Sequence, residues 1–158
     1  ALWTSRLQAL NRPEFHLYDR DNEPPQQAAY QTQVDEVNAR ENCTARSTNK
    51  KELENYVHKT AIEQAYAQDG RVIAIPANFD AFDDVPVEVA KIVHASSESP
   101  IDWEDLDEDK KGEKESKVKK MLNRTAVKLM TIDMLIELDA GGELIGWLKQ
   151  IQQIVEEE

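Results

Sequence analysis

Phe15-His16-Leu17-Tyr18-Asp19-Arg20-Asp21 is a short aromatic-rich run that ends in two acids, and its reading sets the fold. Residues 15–18 have strand character, and Asn22, Pro24 and Pro25 mark a turn that a helix can follow. From about Gln26 to Arg40, Tyr30, Val34 and Val37 recur at i, i+4 and i+7, one stripe of an amphipathic helix. A second short strand fits Cys43 to Thr48. Strand, helix and strand in that order predict a parallel βαβ unit.

Further along, Leu53, Tyr56, Val57, Ala61, Ile62 and Ala65 predict an inward-facing helical stripe from Lys50 until Asp69-Gly70 stops it. Arg71 to Ile75 is short and β-branched, fitting a third strand that Pro76 ends. Pro86, preceded by Asp83 and Asp84, suits the first turn of a helix with Val89, Ala90 and Val93 on its apolar face. Residues 96–116 carry a serine cluster and a mixed charge run, the composition of a mobile, solvated loop. Val118, Leu122, Ala126 and Leu129 then mark one helix, Thr131 can cap a short one through Leu138, and a last helix starts near Gly142 with Leu144, Leu148, Ile151 and Val155 at helical spacing. The predicted class is α/β: a short, mostly parallel sheet flanked by helices over residues 1–85, then a helical section over 86–158 with a flexible acidic loop at about 96–116.

The 158 residues, 40% of them hydrophobic, suffice for one ordinary domain with a real core. A formal net charge of −12 repels nucleic acid and anionic membrane on average, so any DNA contact has to be local, metal-assisted or supplied by a missing region or partner. Cys43 is the only cysteine, which excludes a disulfide within the chain and fits the cytoplasm. No run approaches 18 apolar residues and no export signal is evident. The chain opens on Ala1-Leu2-Trp3-Thr4 without an initiator Met, as a piece cut from a longer parent would.

In a parallel α/β sheet, ligands bind beyond the carboxyl ends of strands. Asp19 and Asp21 are predicted at such an end, where two acids can hold a hard cation such as Mg²⁺ together with water and substrate phosphate. Spacing alone favours a solvated turn. Lys50-Lys51-Glu52-Leu53-Glu54-Asn55-Tyr56 follows the second predicted strand, and Glu52 and Glu54 fit either a second acidic pair or acids that favour a helix N-terminus. His16, His58 and His94 with Cys43 have no compact zinc spacing, and the acids from Asp102 to Asp109 lack the pattern of a calcium loop. Neither a phosphate-binding loop nor a nucleophile-elbow motif is present.

Taken together, residues 15–21 (FHLYDRD) and 50–56 (KKELENY) resemble the Toprim domain of the overcoming-lysogenization-defect family of ATP-dependent endonucleases. The resemblance continues through residues 119–131 (KKMLNRTAVKLMT) and 142–151 (GELIGWLKQI), similar to the helical tail of some members. It implies a Toprim-like, Rossmann-like sheet, Mg²⁺ or Mn²⁺ held by Asp19, Asp21, Glu52 and Glu54, and a tail lysine, Lys120 or else Lys119 or Lys117, that stabilises developing charge. The implied parent couples an upstream ABC-type ATPase to DNA cleavage in phage defence and can form a homodimer. Toprim begins with a strand, a Glu and a nearby Gly, and none of these precedes Phe15 in that pattern. The leading motif is therefore expected upstream in the parent, with this piece inactive or nearly so by itself. The alternative is a non-catalytic regulatory or dimerisation module of an ATPase.

Overall fold

The computed structural model describes residues 12–97, 99–139 and 141–156. They fall into two compact units, drawn from Ala1–Asn49 with Gly141–Glu158 and from Lys50–Ala140. In the first unit, strand β1 (Glu14–Tyr18), helix α1 (Gln31–Asn38) and strand β2 (Cys43–Ser47) form the predicted βαβ unit. The strands run parallel, with His16 opposite Ala45 and Tyr18 opposite Ser47. Val34 and Val37 of α1 bury against Ala45. Asn38 fixes the return of the chain, because its side-chain oxygen accepts from the Ala45 amide and its Nδ2 donates to the Ala45 carbonyl.

Helix α1 is shorter than the predicted span of 26–40. Tyr30 lies just outside its first turn and is 42% exposed, since residues 20–29 form a closed loop instead of helix. The last helix, α7 (Glu143–Glu156), belongs to this first unit, and Glu143 accepts a hydrogen bond from the Asn49 amide.

The second unit is helical. Leu53–Tyr56 form one 3-10 turn, followed by α2 (Lys59–Gln68), α3 (Val85–Ala95), α4 (Glu108–Met121), a π-helical turn (Leu122–Ala126), α5 (Val127–Leu129) and α6 (Ile132–Leu138). Thr131 caps α6 as predicted, and Asp84, just ahead of Pro86, caps α3; each side chain accepts from a backbone amide three residues on. Helix α3 packs on α4 and the π turn packs on α2. Ile62, Val85, Val89 and Leu122 are fully enclosed at their junction.

This shared core is why the units divide at residues 49 and 140 and not at 85. The segment 50–85 buries Val57, Ile62, Ile73 and Val85 with the later helices, while α7 returns to the βαβ unit. The predicted helix from Lys50 is broken: Val57 is extended, His58 caps α2, and Leu53, expected inward, is 43% exposed. Among the described residues no strand forms over 71–75. Ile73 and Ile75 do alternate inward with Val72 outward, but the Ile75 amide is satisfied by the Glu63 carboxylate instead of a neighbouring strand. The expected loop at 96–116 is helical from Glu108 onward. Asp107 caps that helix by accepting from the Lys110 amide, Glu108 and Asp109 suit its positive end, and Lys111 pairs with Glu108. Trp3 and the segment in which a leading strand-Glu-Gly pattern was sought lie outside the described residues.

Leu122 is the largest fully buried aliphatic side chain of the long helix. Leu122→Ala is expected to lower unfolding stability by about 2–5 kcal/mol, the range for emptying a closed leucine site. Denaturant unfolding followed by circular dichroism measures it.

Candidate functional site

Asp19 and Asp21 leave the carboxyl end of β1, as predicted. Arg20 shapes the loop that holds them. Its amide donates to the Thr48 hydroxyl, its carbonyl accepts from the amides of Asn22 and Ala29, and its guanidinium reaches the carbonyls of Asn22 and Gln26. Asp21 is exposed and sits at φ 56°, a left-handed conformation that Asp tolerates better than most side chains. Asp19 is half-buried.

Glu52, Glu54 and the three lysines belong to the second unit. Both glutamates are buried, at 7% and 6% exposure, which an acid tolerates only with partners. Their positions follow from Asn55. Its Oδ1 accepts from the Glu52 amide, and its Nδ2 donates to the carbonyls of Asp80 and Asp83. Lys50 and Lys51 flank this turn: Lys50 donates to the Asn55 carbonyl and lies 4.8 Å from the centre of the Tyr56 ring, and Lys51 pairs with Asp84 at 2.6 Å.

Besides the Asn55 amide, which reaches the Glu52 side chain in a capping box, the partners of the two acids come from one helical face. Lys119 Nζ lies 3.0 Å from Glu52 Oε2, and Asn123 Nδ2 donates to Glu54 Oε1 at 3.0 Å. Lys119 closes α4, and Asn123 lies in the π turn that begins at Leu122. The second oxygen of Glu52, Oε1, is buried with no hydrogen-bond partner among the described residues.

Burial pushes the Glu52 carboxyl above its ordinary 4.5; the Lys119 hydrogen bond pulls the other way, and the charges of Glu54 and Asp84 add to the rise. Burial would lower Lys119, but its hydrogen bond to Glu52 and the charges of Glu52, Glu54 and Asp84 hold it above 10.5. Both shifts are upward because their exposures differ. The Glu52 side chain keeps 9% of its surface in solvent and pays heavily for its charge, whereas Lys119 keeps 50%.

Of the three candidate lysines, the structure brings Lys119 to the acids. Lys120 lines a shallow neighbouring cavity with Ser116, Asn123 and Arg124. Lys117 is exposed and 3.9 Å from Glu113. Asn123 was not singled out from sequence, although its spacing of four from Lys119 places the two on one helical face.

A hard divalent cation suits this donor set in one respect: an orphaned buried carboxylate oxygen beside a second carboxylate is a place where positive charge is favoured. Among the described residues no three His, Cys, Asp or Glu side chains gather into a complete cage. A cation at Glu52 and Glu54 would therefore complete its shell with water and phosphate oxygens, and it would share the pair with Lys119.

Compared with protein-family models, curated proteins and solved structures, the chain matches none.

Because folding raises the Glu52 pKa, this residue's contribution to stability is fully present below about 4.5 and is lost as pH rises through the raised folded value. Glu52→Gln removes that titration. The melting temperature of the variant relative to the native chain is expected to climb as pH goes from acid to neutral; a gap that stays constant with pH would show that folding does not perturb Glu52.

Proposed function

We propose that the chain is the Toprim-like part of a metal-dependent DNA endonuclease, with Glu52, Glu54 and Lys119 at its chemical centre and Asp19 and Asp21 as a further metal-holding pair. The observation that carries this reading is the buried, unpartnered Oε1 of Glu52, beside Glu54 and with Lys119 3.0 Å from the other oxygen. The parallel βαβ unit with two acids at the end of β1 supports it from the other unit. Bound Mg²⁺ or Mn²⁺ would polarise a phosphodiester and activate water. Glu52 and Glu54 hold negative charge in a poorly solvated place, Asn123 orients Glu54, and Lys119 stays protonated well above neutrality, ready to neutralise charge on a phosphate oxygen. Lys120 and Lys117 are not paired with these acids and are assigned to the surrounding surface.

DNA, an upstream ABC-type ATPase, a homodimer and a cytoplasmic role in phage defence complete the proposal for the parent protein. Among the described residues no helix is long and apolar enough to cross a membrane. The rival reading, a non-catalytic regulatory or dimerisation module of an ATPase, is favoured by one feature. Ile145, Leu148, Ile151 and Val155 leave an exposed apolar stripe along α7, from 39% to 68% exposed.

Isothermal titration with Mg²⁺, Mn²⁺ and Ca²⁺ separates the two. Cation binding is expected for the native chain, weakened by Asp19→Ala with Asp21→Ala and again by Glu52→Gln with Glu54→Gln. Binding that neither double substitution changes sinks the metal-site reading. With Mn²⁺ and plasmid DNA the isolated chain is expected to nick weakly or not at all, and robust nicking would mean that the catalytic set lies elsewhere in the chain.

A further inference from the structure

Away from these acids, the second unit contains a cavity of about 390 Å³ formed by α2, α3 and α4. Its apolar wall is built from Val93, Val118 and Met121. Its polar edge carries three cations, Arg71, Lys114 and Lys117, against one acid, Asp69. Two of these cations have acidic neighbours, Arg71 at 3.5 Å from Asp69 and Lys117 at 3.9 Å from Glu113. Lys114 is half-buried and makes no ion pair among the described residues.

Two further polar side chains line the cavity. Tyr66 is 3% exposed, and burial pushes its phenol up to about 12, so it stays a neutral hydroxyl near neutrality. His94 is 5% exposed, with Nε2 2.9 Å from the Ile101 carbonyl. A carbonyl only accepts, so Nε2 carries the hydrogen, and in the neutral ring Nδ1 is the acceptor. That Nδ1 is buried without a partner, the one such atom among the described side chains lining the cavity. The ring is held in place by Trp103, which meets it edge-on at 5.8 Å.

We infer that this cavity is a binding site for a small amphipathic anion, an apolar body bearing one carboxylate. Its volume falls in the range of small-molecule pockets, and an apolar wall with a few convergent polar groups is their usual construction. Lys114 is the unpaired cation that receives the carboxylate, and Arg71 and Lys117 add to the positive field at the edge. The apolar body covers Val93, Val118 and Met121. The site is independent of Glu52 and Glu54: none of its residues contacts either acid in the described hydrogen bonds and ion pairs.

Naphthoate and its neutral counterpart, naphthyl methanol, are suitable probes, followed by amide chemical-shift mapping on the full chain. Naphthoate is expected to shift amides of α3 and α4 around the cavity and to bind roughly tenfold more tightly than the alcohol. Lys114→Gln, a substitution at a half-exposed helix position, should erase that preference while leaving the melting temperature and the alcohol's affinity unchanged. Equal affinity of the two probes for the native chain, shifts confined to other surfaces, or a preference that survives Lys114→Gln each overturns the proposal.

Discussion

A carboxylate buried beside a second one is stable only where donors and cations reach it, and the second unit is arranged around that requirement. Glu52 opens and Glu54 lies within a single 3-10 turn whose shape depends on Asn55, and Asn55 in turn binds the carbonyls of Asp80 and Asp83 in the approach to α3. Lys119 and Asn123 come from the far end of the long helix. One turn thus ties together segments separated by some of the longest stretches of sequence in this unit. The core around Ile62, Val89 and Leu122 supplies the hydrophobic stabilisation, and the acids add direction: a shifted helix would leave two buried charges without partners.

This arrangement suits both chemistry and structure, and the physics separates the two roles atom by atom. Glu54 and one oxygen of Glu52 have partners that a purely structural knot would also need. Glu52 Oε1 has none. A structural network gains nothing from an orphaned buried oxygen, because its desolvation is uncompensated, whereas a ligand site commonly retains such an atom. Lys119 is half in solvent and held protonated, whereas the acids it faces are buried.

The sequence made the βαβ unit legible because its signals are local and agree: aromatic strand, proline turn, two buried valines, second strand. It failed where a tertiary partner overrode a local pattern. Residues 71–75 alternate as a strand does, yet the Ile75 amide goes to Glu63, a contact no pattern announces. The charge run after Asp102 has the composition of a loop, but Asp107 as a cap and acids followed by lysines three residues on are helix signals hidden inside it. Glu52 and Glu54 were legible as acids at the end of a strand, while their burial was not, since Leu53 between them faces outward and the partners that compensate the burial, Lys119 and Asn123, lie far along the chain. Lys119 was one of three candidate lysines, and only folding distinguishes it.

The π turn at Leu122–Ala126 has a consequence for phase. In a regular α-helix, residues four apart advance by about 40° around the axis, so a stripe at every fourth position drifts off the face it started on. Val118, Leu122 and Ala126 are such a stripe, and all three are nonetheless buried. The wider π turn, with more residues per revolution, cancels the drift where it would have carried Ala126 away from α2. Asn123 lies next to the core-facing Leu122 at the start of that turn, so the helix keeps one face on the core while its neighbouring edge carries the partners of both acids.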